Sequence, residues 1–167
     1  DEVGLLLANE MAPKSKAIAN SIVSADLSAL AEHHNVGYTQ TLTGFKWISK
    51  VPDLGYGYEE ALGYCVDPEF TPDKDGITAA LVITEMAVKL AMENKNLLDK
   101  LAELADQLGH VATGQVSIRV TDLATISKIM NVLRKDPPAE IAGLRVGSED
   151  YSNRSDIMKT DALIYMN

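Results

Sequence analysis

The chain has 167 residues, 46% hydrophobic and 23% charged, which suits a soluble globular protein of one domain or parts of two. Its formal net charge of -9 argues against nucleic-acid and anionic-membrane partners, because binding a polyanion requires clustered Lys and Arg. Cys65 is the single cysteine, so an internal disulfide and a cysteine-based zinc site are excluded, and a cytoplasmic location is expected.

The first third of the chain alternates between helix and strand patterns. Apolar residues at helical spacing predict a short helix from Val3 to Met11. Ala17 to Ser24 is typical of a strand, and Asp26 then offers an N-cap oxygen to a second helix. A strand is predicted from Tyr38 to Leu42, followed by a helix through Ile48 that the Thr43 hydroxyl can cap.

A long helix is predicted from Gly76 to about Glu93, beyond a glycine-rich segment and a loop. It is apolar on most faces, which predicts that it is buried. Glu85 and Lys89 interrupt its apolar run, which favours a core helix over a membrane span. Strand and helix alternate as in α/β domains.

After a break at Asn94–Asn96, an amphipathic helix closed by Gly109 is interpreted as a connector. The remaining elements are a strand with alternating apolar residues, a helix, and two further strands: Val116–Val120, Asp122 to Pro137, Leu144–Val146 and Ala162–Met166. We therefore expect one domain over residues 1–108, including the connector helix, and the opening of an α+β domain over residues 109–167.

Three segments place polar groups or glycine where a strand gives way to a loop or helix. They are Thr43–Lys46, Gly57–Tyr64 and Asp73–Gly76. Ligands bind beyond the carboxyl ends of strands in parallel-rich sheets, so these loops can converge on one crevice.

The glutamate pair Glu59-Glu60 lies between glycines. A carboxylate at the tip of such a turn can accept hydrogen bonds from two neighbouring sugar hydroxyls, and only one of the two residues is needed for this. The alternative is that both are solvated surface charges.

Lys46 and Lys74 can each supply a positive charge to a phosphate, although a solvated surface position is the alternative for each. Gly44 at a helix start leaves backbone N–H groups free to meet an anion or a hydroxyl, or serves as a plain cap.

No metal site is expected in the chain. Asp73-Lys74-Asp75-Gly76 superficially resembles a calcium loop, but the ligand spacing puts Thr71 and Val82 where carboxylates are required. His110 has no acidic or thiol partner nearby in sequence, and His33 and His34 point to different parts of a helix surface.

Together, the three segments resemble the alpha-D-phosphohexomutase family in residue identity, order and spacing. The matching residues are Thr43-Gly44-Phe45-Lys46-Trp47-Ile48, Gly57-Tyr58-Glu59-Glu60-Ala61-Leu62-Gly63-Tyr64 and Asp73-Lys74-Asp75-Gly76. The resemblance implies most of the third of four domains, with a mixed sheet flanked by helices, and the start of an α+β fourth domain.

The resemblance also implies roles for individual residues. Glu59 would hold the O3 and O4 hydroxyls of the sugar, and Gly44 with Phe45 would form a second ring-contacting turn. Lys74 would lie near the transferring phosphoryl group, to stabilise charge or act as a general acid. Ala61 occupies a substrate-binding position where many members carry Ser, which removes one hydroxyl contact.

Three motifs of the family are absent: the Thr-Ala-Ser-His-Asn-Pro phosphoserine loop, the Asp-Gly-Asp-x-Asp-Arg magnesium loop and the carboxyl-terminal phosphate loop. We therefore expect a fragment that is inactive alone. Its parent would use Mg²⁺, with ligands outside this chain, and glucose 1,6-bisphosphate as activator and intermediate.

The implied activity of the parent is interconversion of glucose or mannose 1-phosphate and 6-phosphate. The alternatives are a phosphopentomutase, a glucose-1,6-bisphosphate synthase, a non-catalytic sugar-phosphate-binding module or a remnant with a structural role. The sequence does not specify the oligomeric state.

Overall fold

The chain folds into two units, Asp1–Thr113 and Gly114–Asn167, in a computed structural model that describes all of residues 1–167. The first unit has five α-helices and four strands. Its helices are α1 (Glu2–Met11), α2 (Ser28–His34), α3 (Phe45–Ile48), α4 (Gly76–Met92) and α5 (Leu97–Leu108), with a 3-10 helix at Ala12–Lys14. Its strands are β1 (Ala17–Ser21), β2 (Gly37–Thr41), β3 (Leu54–Glu59) and β4 (Gly63–Cys65).

The four strands form one mixed sheet in the order β2-β1-β3-β4. β1 is parallel to both β2 and β3, and β4 returns antiparallel to β3 in a hairpin. The expected α/β fold with a mixed sheet flanked by helices is therefore confirmed. Because three parallel strands end at one edge, the loops that follow them meet there.

Alternate side chains of the strands build two cores, one on each face of the sheet. Ile18, Tyr56 and Tyr58 are fully buried on the face covered by α1, α2 and α4. On the other face, Ala19 and Cys65 pack against α3. Gly57 lies under α3 so closely that a Cβ there would come within 2.4 Å of Ile48 Cγ2.

The prediction that α4 is buried on most faces is wrong. Only Ala79, Met86 and Leu90 are buried, on the side that meets the sheet and the neighbouring helices. The opposite side carries an exposed apolar stripe, since one packed layer can cover only one face of a helix. Its members are Ile77, Leu81, Val88 and Met92.

α5 is more than a connector. Its start carries a capping box, in which Asn96 accepts from the Asp99 backbone and Asp99 accepts from the Asn96 backbone. Leu104 is buried against Leu6 of α1 and Met86 and Leu90 of α4. α5 thus belongs to the helical layer of the first unit.

The second unit contains helix α6 (Ala124–Lys135) and two antiparallel strand pairs. These are β5 (Glu140–Ile141) with β6 (Leu144–Arg145), and β7 (Gly147–Asp150) with β8 (Leu163–Met166), with a 3-10 helix at Tyr151–Asn153. Arg134 of α6 binds Asp150 at 3.0 Å and also contacts Asp161. The predicted strand at Val116–Val120 is wrong, because this segment is mostly exposed and pairs with no other strand.

Candidate functional site

The carboxyl edge of the sheet, where β1, β2 and β3 end, brings the first two predicted segments together. β1 ends at Ser21, β2 at Thr41 and β3 at Glu59, and Gly63 opposes Glu59 across the hairpin. The three residues Glu60–Leu62 form the hairpin turn between β3 and β4. The edge therefore gathers residues that are far apart in the sequence.

Glu59 is the buried carboxylate of this edge, with only 7% of its surface exposed. Its Oε2 accepts a hydrogen bond from the Gly44 backbone N–H at 2.9 Å. No lysine or arginine forms an ion pair with it. A buried carboxylate with a single backbone donor keeps acceptor capacity for further hydroxyl or N–H groups.

Gly44 can approach Glu59 because of its backbone conformation. Its φ of 109° and ψ of 137° are essentially restricted to glycine. This residue precedes α3, and the structure shows no side-chain cap there, so the predicted capping role of the Thr43 hydroxyl is wrong. The Gly44 N–H at the start of this helix binds the Glu59 carboxylate instead.

Phe45 follows Gly44 and is buried. Its ring and the Glu59 side chain both pack against Gly63. A Cβ at Gly63 would lie 2.7 Å from both Glu59 Cγ and the Phe45 ring. Gly63 is therefore required by close packing, which also explains one of the two glycines that flank the glutamate pair. Ala61 lies exposed in the hairpin turn.

Glu60 is hydrogen-bonded to other residues of the chain and is not a freely solvated charge. Its Oε2 lies 3.0 Å from the hydroxyls of both Ser21 and Ser24, and its N–H donates to Ser24 Oγ at 3.0 Å. Neither serine was predicted from the sequence to belong to the site. Two hydroxyls three residues apart at the end of a strand were the available signal.

Lys74 reaches the same region from the start of α4. Its Nζ lies 5.6 Å from the centre of the Phe45 ring and 3.2 Å from Asp73. The backbone at the start of α4 is fixed because the Asp75 N–H donates to the Tyr64 carbonyl of β4 at 2.8 Å. Lys46, in contrast, lies over its neighbour Trp47 at 5.4 Å.

Two buried groups behind the edge support it without facing it. The Tyr58 hydroxyl donates to the Ala25 carbonyl at 2.7 Å, and burial raises its pKa well above the usual value, so it stays a donor. Cys65 in β4 donates to the Thr71 carbonyl at 3.4 Å, and burial raises the pKa of its thiol to about 11.

Features elsewhere in the chain do not extend the site. No three His, Cys, Asp or Glu side chains are grouped to hold a metal ion. A cavity of about 420 Å³ lies beside α1, α2 and α5, and none of Gly44, Glu59 and Lys74 lines it. No helix combines the length and apolar character needed to cross a bilayer.

Comparisons with known proteins agree on one family. Residues 1–108 match the family model described as phosphoglucomutase/phosphomannomutase, alpha/beta/alpha domain III. A probable phosphomannomutase of Haemophilus influenzae is 45% identical over 145 residues, which cover 86% of this chain and 30% of that protein. A phosphoglucomutase of Staphylococcus epidermidis is 32% identical over 168 residues, with coverage of 90% and 31%.

The fold is also similar to a solved structure. A crystal structure from Thermus thermophilus, assigned as a phosphomannomutase, is 29% identical with a TM-score of 0.56. The similarity covers 65% of this chain and 25% of that one. The chain spans about 30% of the length of the curated relatives that it matches.

Proposed function

The chain belongs to the phosphoglucomutase/phosphomannomutase family, and we propose that it is the sugar-recognition part of an enzyme interconverting hexose 1-phosphates and 6-phosphates. The observation that carries this proposal is the Glu59 carboxylate, which is buried at the carboxyl edge and held by the Gly44 N–H at 2.9 Å. Burying a carboxylate without a cation is costly, so such a group favours a ligand that supplies hydrogen-bond donors.

Sugar hydroxyls are donors of the required kind. A carboxylate offers about four lone-pair sites, and Gly44 uses one of them. The proposed ligands of Glu59 are the O3 and O4 hydroxyls of the sugar, with Gly44 and Phe45 forming the neighbouring wall. Ala61 contributes a small, exposed position in the turn where a serine would add a hydroxyl contact.

The proposed role of Lys74 concerns the phosphoryl group. Its ammonium group is exposed, and its ion pair with Asp73 at 3.2 Å is also exposed and therefore weak. It is free to move toward a phosphate bound over Phe45, where it would stabilise developing negative charge or donate a proton.

The proposed reaction of the parent enzyme transfers a phosphoryl group from a phosphoserine outside this chain to the sugar phosphate. The resulting bisphosphate, such as glucose 1,6-bisphosphate, reorients and returns its other phosphoryl group to the serine that the first transfer left free. The O3 and O4 hydroxyls lie near the axis of this turn, so Glu59 would serve both orientations. No residue of this chain is assigned to Mg²⁺, because no suitable cluster exists here.

The test is Glu59→Gln in the intact parent enzyme. We expect kcat/KM to fall roughly 10- to 100-fold with either the 1-phosphate or the 6-phosphate as substrate, because hydrogen bonds to a charged group are lost in both binding orientations. Glu69→Gln, at an exposed position beyond the hairpin, is the matched control and should leave kcat/KM unchanged. Unchanged kinetics for Glu59→Gln would remove the basis of the proposal.

A further inference from the structure

Glu60 makes contacts that the sugar-binding proposal does not use. It follows Glu59 directly, yet its carboxylate turns to the end of β1 and the loop that follows, where the hydroxyls of Ser21 and Ser24 each lie 3.0 Å from Oε2. The two serine hydroxyls also lie 2.8 Å from each other. Neighbouring carboxylates in the chain are thus engaged by different loops.

The three oxygen atoms form a closed triangle. Two hydroxyl protons serve three oxygen–oxygen contacts, so two contacts at a time are hydrogen bonds. Both protons can point at the carboxylate, which makes these bonds charge-assisted. Ser24 Oγ also accepts the Glu60 backbone N–H at 3.0 Å, so both the side chain and the backbone of Glu60 are fixed.

The hairpin turn has few other attachments. Ala61 and Leu62 are exposed, with 80% of the Leu62 surface in contact with solvent. Leu62 has a φ of 59°, a left-handed conformation that is unfavourable for a leucine. A strained, exposed turn persists only when its surroundings hold it, and here the contacts of Glu60 with the β1 loop do so.

The orientation of the Glu59 side chain depends on this turn. Glu59 is the last residue of β3 and pairs with Gly63 across the turn, while its carboxylate meets Gly44 beyond β2. The turn is therefore fixed on one side by the loop after β1 and on the other side by the loop after β2. A shift of the turn would move the Glu59 carboxylate relative to Phe45.

We propose that Glu60 is a positioning residue, which holds the hairpin turn to Ser21 and Ser24 so that Glu59 presents its carboxylate to the sugar. This inference rests on the proposed role of Glu59. It assigns different tasks to adjacent glutamates: one binds the ligand, and the other fixes the angle at which the first is presented.

The test is a double-mutant cycle in the intact parent enzyme. Glu60→Ala is expected to lower kcat/KM about tenfold, mostly through KM, because contacts to the bound sugar are misaligned. Glu60→Gln keeps an acceptor oxygen and should restore most of the loss. In a Glu59→Gln background, Glu60→Ala should cost less than about threefold, since residues acting through one group are not additive. Ser24→Ala, a milder change, should reproduce part of the effect.

The outcomes separate the two proposals. If Glu59→Gln is impaired but Glu60→Ala costs the same factor in both backgrounds, the positioning role is wrong and sugar binding by Glu59 stands. A lower melting temperature for Glu60→Ala and Ser24→Ala with unchanged kcat/KM would reduce the triangle to a structural contact and also overturn the inference. If Glu59→Gln has wild-type kinetics, the proposed function fails, and the positioning role fails with it.

Discussion

Among single residues, Gly44 has the most direct control over the Glu59 carboxylate. A Cβ at this position would meet only Lys46 Cγ at 3.9 Å, so space is available. The backbone conformation is the obstacle, because a φ of 109° with a ψ of 137° is essentially closed to other residues.

We therefore predict that Gly44→Ala destabilises the chain by about 1–3 kcal/mol through backbone strain. In the parent enzyme it should also lower kcat/KM, since the N–H that holds Glu59 moves. Urea unfolding followed by circular dichroism measures the first effect, and steady-state kinetics measures the second.

Gly76→Ala is the matched control for this substitution. A Cβ there has open space, and the residue lies in the first turn of α4. The free energy of unfolding should be unchanged or higher by up to about 1 kcal/mol, because alanine favours helix. Equal destabilisation by both alanines would show that the strain argument for Gly44 is incorrect.

Among the elements, α4 depends on its first turn to present Lys74. Asp75 accepts hydrogen bonds from the backbone N–H groups of Ile77 at 2.9 Å and Thr78 at 3.3 Å. Its own N–H donates to Tyr64 of β4. The same residue thus caps the helix and attaches it to the hairpin.

Asp75→Ala is predicted to lower the melting temperature, whereas Asp75→Asn should retain most of the cap. Hydrogen bonds from the Thr78 hydroxyl and backbone lower the pKa of Asp75 from its usual value. A lowered folded-state pKa adds stability above the unfolded-state value, and this stability is lost as the pH falls through the folded-state value. The advantage of wild type over Asp75→Asn should therefore shrink in acid, as the pH falls below the usual pKa of an aspartate. Melting curves across pH measure this, and a constant difference would contradict it.

The elements show how far local sequence patterns determine this fold. β2 and α4 were predicted within one residue of their observed bounds, because periodicity and turn residues are local signals. β1 was predicted from its observed start but three residues too long. The strand β3 was not assigned, since its two glycines disfavour a strand and its stability comes from pairing with β1 and β4. Because α4 is apolar on both of its sides, the sequence predicted burial of both. Periodicity alone does not determine which side packs against a core.

The site shows the same division between local and distant information. The glycines and the glutamate pair marked this region as a candidate site, whereas the choice of Glu59 over Glu60 came from the resemblance to the family; the structure places Gly44 N and Glu59 Oε2 2.9 Å apart. The sequence does not identify Ser21 and Ser24 as part of the site, because their partner, Glu60, lies 39 and 36 residues further along the chain. Only the pairing of β1 with β3 makes these residues neighbours.

For the whole molecule, the division into two units identifies where the chain is open to a protease. Residues 109–123 form neither helix nor strand, and Arg119 is their one Lys or Arg and is exposed. We predict that limited trypsin treatment cleaves first after Arg119, giving residues 1–119 and 120–167 in early mass spectra.

Arg119→Gln is the control for this prediction and should remove the early cut. Earlier cleavage at Lys46 or Lys74 would contradict it, because both lysines lie in the first unit beside the carboxyl edge. Such a result would mean that the region around the carboxyl edge opens more readily than residues 109–123.

Cys65 gives the first unit an internal reporter of its own opening. It is the only thiol, is fully buried in β4 under α3, and has a pKa of about 11, so little thiolate exists at neutral pH. An alkylating reagent can reach it when the hairpin carrying Glu59 and Glu60 separates from α3, when the loop at Thr71 opens, or when the unit unfolds. The rate of alkylation therefore measures how often the structure around β4 opens, and an alkylation rate above the rate of global unfolding would indicate local opening beside the candidate site.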